Sequence, residues 1–425
     1  MTIPVSQRDP RIHDCDTRIK DRDTRINDRD MRINDRDTRI KDRDTRIDVL
    51  RALALLTIFV DHVPGTVFEN LTYKNLGFSD AAEAFVLISG ISVALAYGSK
   101  FKPGGRLLAT LKMWRRAGVL YVTHIVITMA VIAMFCAAAV FAHRPELLKM
   151  INIEPLMKNT PEVLLGIVTL GHQLGYNNIL PVYAALLLAA PAFVLSVSYR
   201  PAAALTVSGL LWLVAGIWQI APPNYPEPGL WFLNPLSWQF LFNIGLAAML
   251  HVKRGGAIPV NRWLVGFAGV YVVGAAVWVH SPLWGHITWF DLPVVIGGFD
   301  KTFLSLPRLL HILSVSYLVV ALPAVSNLFR ARPDNPLAIL GKRSLPVFVA
   351  GTVIAMAAQV LKLINPGGLA YDTLLIAAGI AMQFALALYL EWLAGLGPAR
   401  AKPARDEIAR PTFGAQPVPA RVGGY

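Results

Sequence analysis

Stretches of about twenty apolar residues alternate with short polar connections along most of this chain, a pattern that predicts helices crossing a membrane. The predicted fold class is all-α, a polytopic membrane helix bundle with about ten transmembrane helices in one domain, residues 47–394. The predicted helices cover about 47–65, 80–98, 117–142, 179–198, 202–220, 234–251, 262–280, 304–329, 345–364 and 371–394.

The distribution of basic residues predicts the orientation of these helices. Lysine and arginine are more frequent in the connections after the second, sixth and eighth predicted helices than in the opposite connections. Connections rich in these residues stay in the cytoplasm, so we expect both termini to be cytoplasmic.

Composition agrees with a membrane protein and narrows the function classes. The 425 residues are 55% hydrophobic and 16% charged, whereas soluble domains usually carry about 25% charge. The net charge of +13 comes from the connections and the tails, which is typical of membrane topology, and we expect no nucleic-acid partner. Two cysteines, Cys15 and Cys136, give no disulfide framework, and no motif predicts a metal site or a tightly bound cofactor.

Two charged segments flank the predicted membrane domain. Residues 1–46 contain an Asp/Arg repeat of period seven with one isoleucine in most units, where a coiled coil needs two apolar positions. We expect a cytoplasmic segment that is partly helical or disordered, with a partner-binding helix as the alternative. Residues 395–425, rich in Pro, Arg and Ala, are predicted to be a disordered cytoplasmic tail.

The first predicted helix carries two ionisable residues on one face. Arg51 and His62 are eleven residues apart, which is three helical turns plus roughly 20° and about 16 Å along the axis. An ionisable side chain within the membrane needs a partner or a cavity and is therefore a candidate for function. The structural alternative makes Arg51 an interfacial anchor and His62 a helix-end residue bonded to a carbonyl.

Polar residues in the outer half of four other predicted helices support a shared site, because inward-facing polar groups mark a pathway or a site. These residues are Asp80, Glu83, Asn177, Asn178, Tyr183, Asn234, Trp238, Gln239, Asn243, Lys301, Arg308 and His311. Asp80 and Glu83 also have the spacing of a capping box, which is a structural alternative. Arg115 and Arg116 are either positive-inside anchors or a phosphate site. The His286–Asp291 spacing matches the H-x4-D pattern of glycerolipid acyltransferases, a short pattern that is expected by chance.

The chain resembles the OpgC family of inner-membrane proteins, within the acyltransferase-3 superfamily. The likeness begins with the R-x10-H motif formed by Arg51 and His62. It continues in residues 77–98, 115–116, 120–121, 176–183, 232–245, 301–314 and 341–351, so it covers about 47–394.

The resemblance implies a ten-helix enzyme of the bacterial inner membrane. Such an enzyme takes an acyl group, typically succinyl, from cytoplasmic acyl-coenzyme A and places it on hydroxyls of a periplasmic glucan or another envelope glycan. Its expected partners are acyl-coenzyme A, the glycan acceptor, the lipid bilayer and proteins of glucan synthesis. In this family the histidine of the R-x10-H motif is essential, which here is His62.

The residues themselves allow a consistent chemistry. His62 suits a general base that accepts the hydroxyl proton of a sugar, and Glu83 or Asp80 is expected to orient its imidazole. Donors to the developing oxyanion are expected among Arg308, Asn178, Gln239 and His311. Arg51, with Arg115 and Arg116, is expected at the entrance for coenzyme A phosphates. The remaining expected substrate-binding residues are Asn177, Tyr183, Trp238 and Lys301.

Two other functions fit the same pattern. Polar groups inside a helix bundle also line solute paths, so a transporter or flippase is the main alternative. A scaffold that docks an envelope complex through the Asp/Arg repeat is the third.

Overall fold

The computed structural model describes residues 44–282 and 292–396, and helices make up most of these ranges. Three short 3₁₀ helices, Val67–Leu71, Tyr73–Asn75 and Pro145–Lys149, occur in the connections. The described ranges contain no β-strand beyond an isolated bridge between Pro223 and Leu230. The α-helices are α1 Thr45–Asp61, α2 Ala81–Tyr97, α3 Arg106–Phe141, α4 Glu154–Lys158, α5 Thr160–Val168, α6 Ile179–Tyr199, α7 Pro201–Ile217, α8 Pro235–Lys253, α9 Arg262–Val279, α10 Val294–Gly297, α11 Leu306–Ala321, α12 Pro323–Leu328, α13 Pro336–Lys342, α14 Ser344–Ile364 and α15 Leu369–Leu396.

The all-α prediction is confirmed for the described residues, and a helix occupies each of the ten predicted segments. Two boundaries differ from the prediction. Helix α3 begins at Arg106, because its first three turns carry basic residues that the apolar pattern excluded. The segment 304–329 is divided between α11 and α12, because Leu322 precedes Pro323 and takes an extended conformation.

Among the described residues, five helices are long and apolar enough to cross a membrane: α3, α6, α9, α14 and α15. Shorter apolar helices include α2, α7 and α11. Large apolar side chains remain exposed on the outside of these helices, among them Val270 and Leu374. Exposed apolar surface on several helices is expected where lipid surrounds a bundle.

The connection between α3 and α6 contains structure that the sequence pattern did not predict. It holds the 3₁₀ helix Pro145–Lys149 and the short helices α4 and α5, each of which has a proline in its first turn. Proline at this position is favoured because the first turn of a helix leaves its N–H groups unpaired. Three short helical segments thus make up much of this connection.

Glycine allows the backbones of α2 and α8 to approach closely. A Cβ atom at Gly90 of α2 would lie 2.0 Å from the carbonyl oxygen of Phe242, and one at Gly245 of α8 would lie 2.3 Å from the carbonyl oxygen of Leu87. Small residues at such crossings are typical of helix pairs in membranes. Gly90 and Gly245 are therefore close-packing positions between α2 and α8.

The Gly90→Ala variant is expected to be less stable than the native protein by about 1–3 kcal/mol, the usual cost of overpacking a core. The added methyl group meets backbone atoms of α8, which cannot rotate away. The matched control is Gly118→Ala in α3, where a Cβ atom meets nothing within 4 Å. Thermal unfolding in detergent measures both, and equal midpoints for the two variants would contradict this view of the α2–α8 contact.

Candidate active site

His62 lies at the point where the first helix ends. Its backbone N–H donates to the carbonyl oxygen of Ile58 at 3.1 Å, and Pro64 and Gly65 (φ 81°) then turn the chain away. The imidazole packs against the ring of Tyr176, with a centroid separation of 4.8 Å. Its Nδ1 is buried without a hydrogen-bond partner, so Nε2 is the nitrogen available to a bound molecule.

A cavity of about 570 Å³, the His62 cavity, opens beside this imidazole. Residues far apart in the sequence bring polar side chains into its wall, which is the arrangement expected of an inward-facing site. The polar residues of the wall are Asp61, His62, Glu69, Lys74, Asp80, Tyr176, Asn178 and Lys301. Of the predicted site residues, His62, Asp80, Asn178 and Lys301 therefore meet in one cavity.

Asp80 and Glu83 form a complete capping box at the start of α2. The Ala82 N–H donates to Asp80 Oδ1 at 2.8 Å, and the Asp80 N–H donates to Glu83 Oε2 at 2.9 Å. The structural role that the spacing predicts is therefore present. Because these bonds fix both carboxylates, the two side chains form one rigid unit.

Two cations complete this unit. The Arg308 Nε donates to Glu83 Oε1 at 2.7 Å, and its second nitrogen lies 3.3 Å from Asp80 Oδ2. Lys301 forms an ion pair with the same Asp80 carboxylate. Glu83 is fully buried behind Asp80. Asp80 and Lys301 thus line the cavity, whereas Glu83 and Arg308 support them from behind.

The expected orienting role of Glu83 toward His62 has no contact in the structure. Glu83 bonds Arg308 and the Asp80 backbone, and no hydrogen bond joins His62 to a carboxylate within the described ranges. The reason is the N-terminal position of Glu83 in α2, where the free backbone N–H and Arg308 bind its oxygens. Tyr176 is the side chain that packs on the imidazole instead.

A second group of charges lies across the cavity. Thr72 donates to Asp61 Oδ1 at 2.6 Å, and Lys74 donates to Glu69 Oε2 at 2.9 Å and lies 3.8 Å from Asp61. Burial alone would lower the pKa of Lys74, but the hydrogen bond to Glu69 and the charge of Asp61 outweigh it and raise this pKa. Lys74 is therefore a fixed positive charge at the mouth of the cavity.

His311 and Trp238 support the wall without lining it. The His311 Nδ1 lies 2.7 Å from Ser79 Oγ, and its ring occupies the space above Gly77, where a Cβ atom would be 2.0 Å from Nε2. Trp238 donates from Nε1 to the Lys301 carbonyl oxygen at 3.1 Å. Both residues fix backbone beside Asp80 and Lys301.

The structure separates two predicted site residues from the His62 cavity. Gln239 accepts a hydrogen bond from Ser208 at 2.5 Å and contacts Asn243, on the opposite side of α8. Asn177 points away from Asn178 and donates to Thr128 of α3 at 3.0 Å. Neither side chain lines the His62 cavity.

Arg51 lines another cavity, the Arg51 cavity, of about 350 Å³. Arg51 donates to Ser92 Oγ at 2.5 Å, to Asp48 Oδ1 at 3.2 Å and to the Gly341 carbonyl oxygen at 3.3 Å. Arg116 also lines this cavity, whereas its neighbour Arg115 is exposed outside it.

Tyr183 lies in the wall of the Arg51 cavity, not in the wall of the His62 cavity. The wall also includes Phe85 and Phe348, and the Phe85 ring contacts the rings of both Tyr183 and Phe348. Ala82 and Ile179, which line the His62 cavity, are within about one helical turn of Phe85 and Tyr183. The walls of the two cavities therefore come within about one helical turn of each other along α2 and α6.

Sequence reasoning missed three contributors to the site, Tyr176, Lys74 and Asp61. Tyr176 has a positive φ of 67°, which no apolar pattern indicates, and Lys74 belongs to a connection. Asp61 is adjacent to His62, and on a helix two adjacent side chains point about 100° apart, which suggests different faces. The cavity is nevertheless wide enough to include both.

The described ranges contain no group of histidine, cysteine or carboxylate side chains that would hold a metal. The His286–Asp291 spacing lies outside the described residues, as do most of the Asp/Arg repeat and almost all of the C-terminal tail.

Comparison with known protein families shows to which family the chain belongs. Searches of curated proteins and of solved structures find no match. The family model of the OpgC protein matches residues 43–395, which include every described helix of the bundle except the last residue of α15. This match covers far more than half of the chain, and the chain therefore belongs to the OpgC family.

Proposed function

We propose that this protein is a membrane-bound O-acyltransferase of the acyltransferase-3 superfamily that moves a succinyl group from cytoplasmic succinyl-coenzyme A to a hydroxyl of a periplasmic glucan. Membership of a family of transferases supports the reaction class. The observation that carries the proposal is the position of His62, whose imidazole meets Asp80, Asn178 and Lys301 in one cavity.

The proposed topology has ten membrane-spanning helices, both termini in the cytoplasm, and residence in the bacterial inner membrane. Five helices of sufficient length and apolarity, three shorter apolar helices (α2, α7 and α11) and the basic connections support it. In this topology the Arg51 cavity opens toward the cytoplasm and the His62 cavity toward the periplasm.

His62 acts as the general base in the proposed reaction. The neutral imidazole accepts the hydroxyl proton as the sugar oxygen attacks the thioester carbonyl carbon. The tetrahedral intermediate then breaks its carbon–sulfur bond, the coenzyme A thiolate takes the proton from the imidazolium, and the ester remains on the sugar. No cofactor has to stay bound through the cycle.

Asn178 and Lys301 are the proposed donors to the oxyanion of this intermediate, because both line the His62 cavity. Arg308 is held by Glu83 and Asp80, and His311 by Ser79. These two residues therefore serve as positioning residues. Of the four expected oxyanion donors, Asn178 alone lines the His62 cavity, and Lys301 is proposed as the second donor.

Arg51 and Arg116 are the proposed contacts for the phosphates of coenzyme A. Both cations line the Arg51 cavity at the end opposite to His62. The pantetheine arm then passes between Phe85, Tyr183 and Phe348 to bring its thioester to His62. The short distance between the walls of the two cavities along α2 and α6 supports this path.

The test of the reaction is purified protein in vesicles supplied with succinyl-coenzyme A and a periplasmic glucan. Mass spectrometry is expected to find succinyl esters on the glucan together with free coenzyme A. Movement of the glucan across the membrane without ester formation would replace this proposal with transport. Deleting residues 1–40 is expected to leave ester formation intact, and its loss would favour a scaffold that docks proteins of glucan synthesis.

The Arg116→Ala variant is expected to raise the KM for succinyl-coenzyme A by about tenfold and to change the KM for glucan little. Loss of one charge-assisted contact to a phosphate has about this effect. Arg51→Ala is expected to act in the same direction, with an added loss of stability from its contacts with α2 and α13. Lys112→Ala is the control, because Lys112 is an exposed cation on the same end of α3. Equal effects on donor and acceptor would contradict a donor site here.

A further inference from the structure

A third cavity, the Asn224 cavity, of about 410 Å³, adjoins the His62 cavity on the outer side. The two cavities share four wall residues, Ile151, Gly175, Asn178 and Phe232. The Asn178 amide therefore faces both spaces. A molecule bound across this boundary would reach from the Asn224 cavity to the His62 imidazole.

The walls of the Asn224 cavity are held together by contacts between three connections. His172 lies 2.9 Å from the Asn152 carbonyl oxygen, and the Gly175 N–H donates to the Ile151 carbonyl oxygen at 3.2 Å. The Tyr225 N–H donates to the Gly171 carbonyl oxygen at 3.1 Å. Burial lowers the pKa of His172, which keeps this bracing histidine neutral. The cavity is thus a preformed feature of the fold.

Non-glycine residues beside the Asn224 cavity have positive φ angles, which is unusual. Ile151 and Asn152 have positive φ angles of 47° and 67°, and Tyr176 has 67°. A β-branched residue such as Ile151 rarely adopts this conformation, and strained backbone collects at binding sites because the surrounding structure has to maintain it. The strain in this protein borders both the Asn224 cavity and the His62 cavity.

The chemistry of the cavity wall suits a neutral ligand rich in hydroxyl groups. Four amides line it, and amides both donate and accept hydrogen bonds. A half-exposed phenyl ring, Phe232, offers a flat apolar face. The charged residues are one lysine and one glutamate, so no excess of positive charge favours an anion. The amide and charged residues of the wall are Lys149, Asn152, Gln173, Asn178, Asn224 and Glu227.

Several of these polar side chains have no hydrogen-bond partner among the described residues. The side chains of Asn178, Asn224 and Glu227 form no hydrogen bond with another residue of the described ranges. Coenzyme A would find its cations in the Arg51 cavity, at the other end of the bundle. The Asn224 cavity therefore has free hydrogen-bonding groups beside the reacting center but lacks the charge that the acyl donor requires.

We infer that the Asn224 cavity is an acceptor subsite that binds sugar residues of the glucan beyond the one whose hydroxyl reaches His62. This inference rests on the proposed function. It adds where the acceptor binds and that several of its sugar residues are bound. Asn178 and Phe232 contact the sugar at the boundary, and Asn224 and Glu227 contact the next residues along the chain. Longer acceptors consequently bind more tightly than short ones.

The experiment compares β-linked gluco-oligosaccharides, from disaccharide to hexasaccharide, as acceptors of the succinyl group. In the native protein, kcat/KM is expected to rise with length until the subsite is filled. In Asn224→Ala and Glu227→Ala the ratio of kcat/KM for hexasaccharide to that for disaccharide is expected to fall about tenfold, the loss that follows removal of a hydrogen bond to the ligand. The control is Asn159→Ala, because Asn159 is an exposed amide of the connection that also carries Asn152, its side chain forms no capping bond, and it lies outside the three cavities.

The possible outcomes test the acceptor subsite separately from the acyl transfer reaction. Ester formation with a native length ratio in both variants overturns the subsite and leaves the acyltransferase intact. If no acceptor is acylated, calorimetric binding of the hexasaccharide to the purified protein still decides. Binding weakened by the two substitutions supports the subsite, and binding that is absent or unaffected overturns it.

Discussion

The His62→Ala variant is expected to form no detectable succinyl ester, with kcat lowered at least about 100-fold. A positioned general base contributes about 10²–10⁴-fold to such a transfer, and no other histidine of the described ranges lines the His62 cavity. The amount of folded protein in the membrane is expected to stay the same. The His62 Nδ1 has no partner in the described ranges, so its removal leaves no buried group without a hydrogen bond.

Mass spectrometry of glucans from cells that express each variant measures this result. His280→Ala is the matched control, because His280 is exposed at the same end of the bundle and, among the described residues, its Nδ1 bonds the Ala276 carbonyl oxygen of its own helix alone. Normal ester content with His62→Ala, at native abundance, would remove the histidine from the mechanism. Loss of ester with His280→Ala would show that the assay reports folding rather than catalysis.

Short-range features of the structure were predictable from the sequence. Apolar stretches of about twenty residues located every long helix, because membrane helices satisfy their own backbone and need only an apolar surface. The capping box at Asp80 and Glu83 followed from a spacing of three residues. The placement of Arg51 and His62 at opposite ends of one helix followed from its regular rise.

The direction in which each polar side chain points was not predictable, because it depends on neighbouring helices. Tyr183 lies in the second turn of α6, and the Arg51 cavity extends far enough along this helix to include it. Gln239 faces Ser208 of α7, since α7 packs on that side of α8. Arg308 and His311 are three residues apart on α11, and their hydrogen-bonding groups already bind Glu83 and Ser79.

The connections between helices contribute turns and site residues that the periodicity of apolar residues does not predict. Non-glycine residues with positive φ cluster at the end of the bundle where His62 lies, and each reverses the chain without a glycine. They are His143, Ile151, Asn152, Leu170, Tyr176, Gln219 and Leu304. Sequence patterns for turns rely on glycine, asparagine and proline, so Tyr176 and the Asn224 cavity escaped them.

The Arg308→Met variant is expected to lose about 3–5 kcal/mol of stability, since removing one partner leaves a buried charge uncompensated. The Arg308 and Glu83 side chains are 12% and 0% exposed, and their closest nitrogen and oxygen atoms are 2.6 Å apart. Arg144→Met is the control, because Arg144 and Glu146 are paired at 3.3 Å but are 50% and 58% exposed. Exposed pairs contribute about 0–1 kcal/mol. Thermal unfolding in detergent compares both variants with the native protein.

A double variant separates the lost charge balance from lost packing. If the cost of Arg308→Met comes from the unpaired carboxylate, adding Glu83→Gln is expected to recover part of the stability, because a neutral amide can remain buried with the Asp80 backbone N–H as its partner. Asp80 keeps Lys301 as a counterion in this variant. A double variant less stable than Arg308→Met would instead assign the loss to packing around Glu83. Recovery of stability without recovery of ester formation would mean that the cluster also holds Asp80 and Lys301 in place for His62.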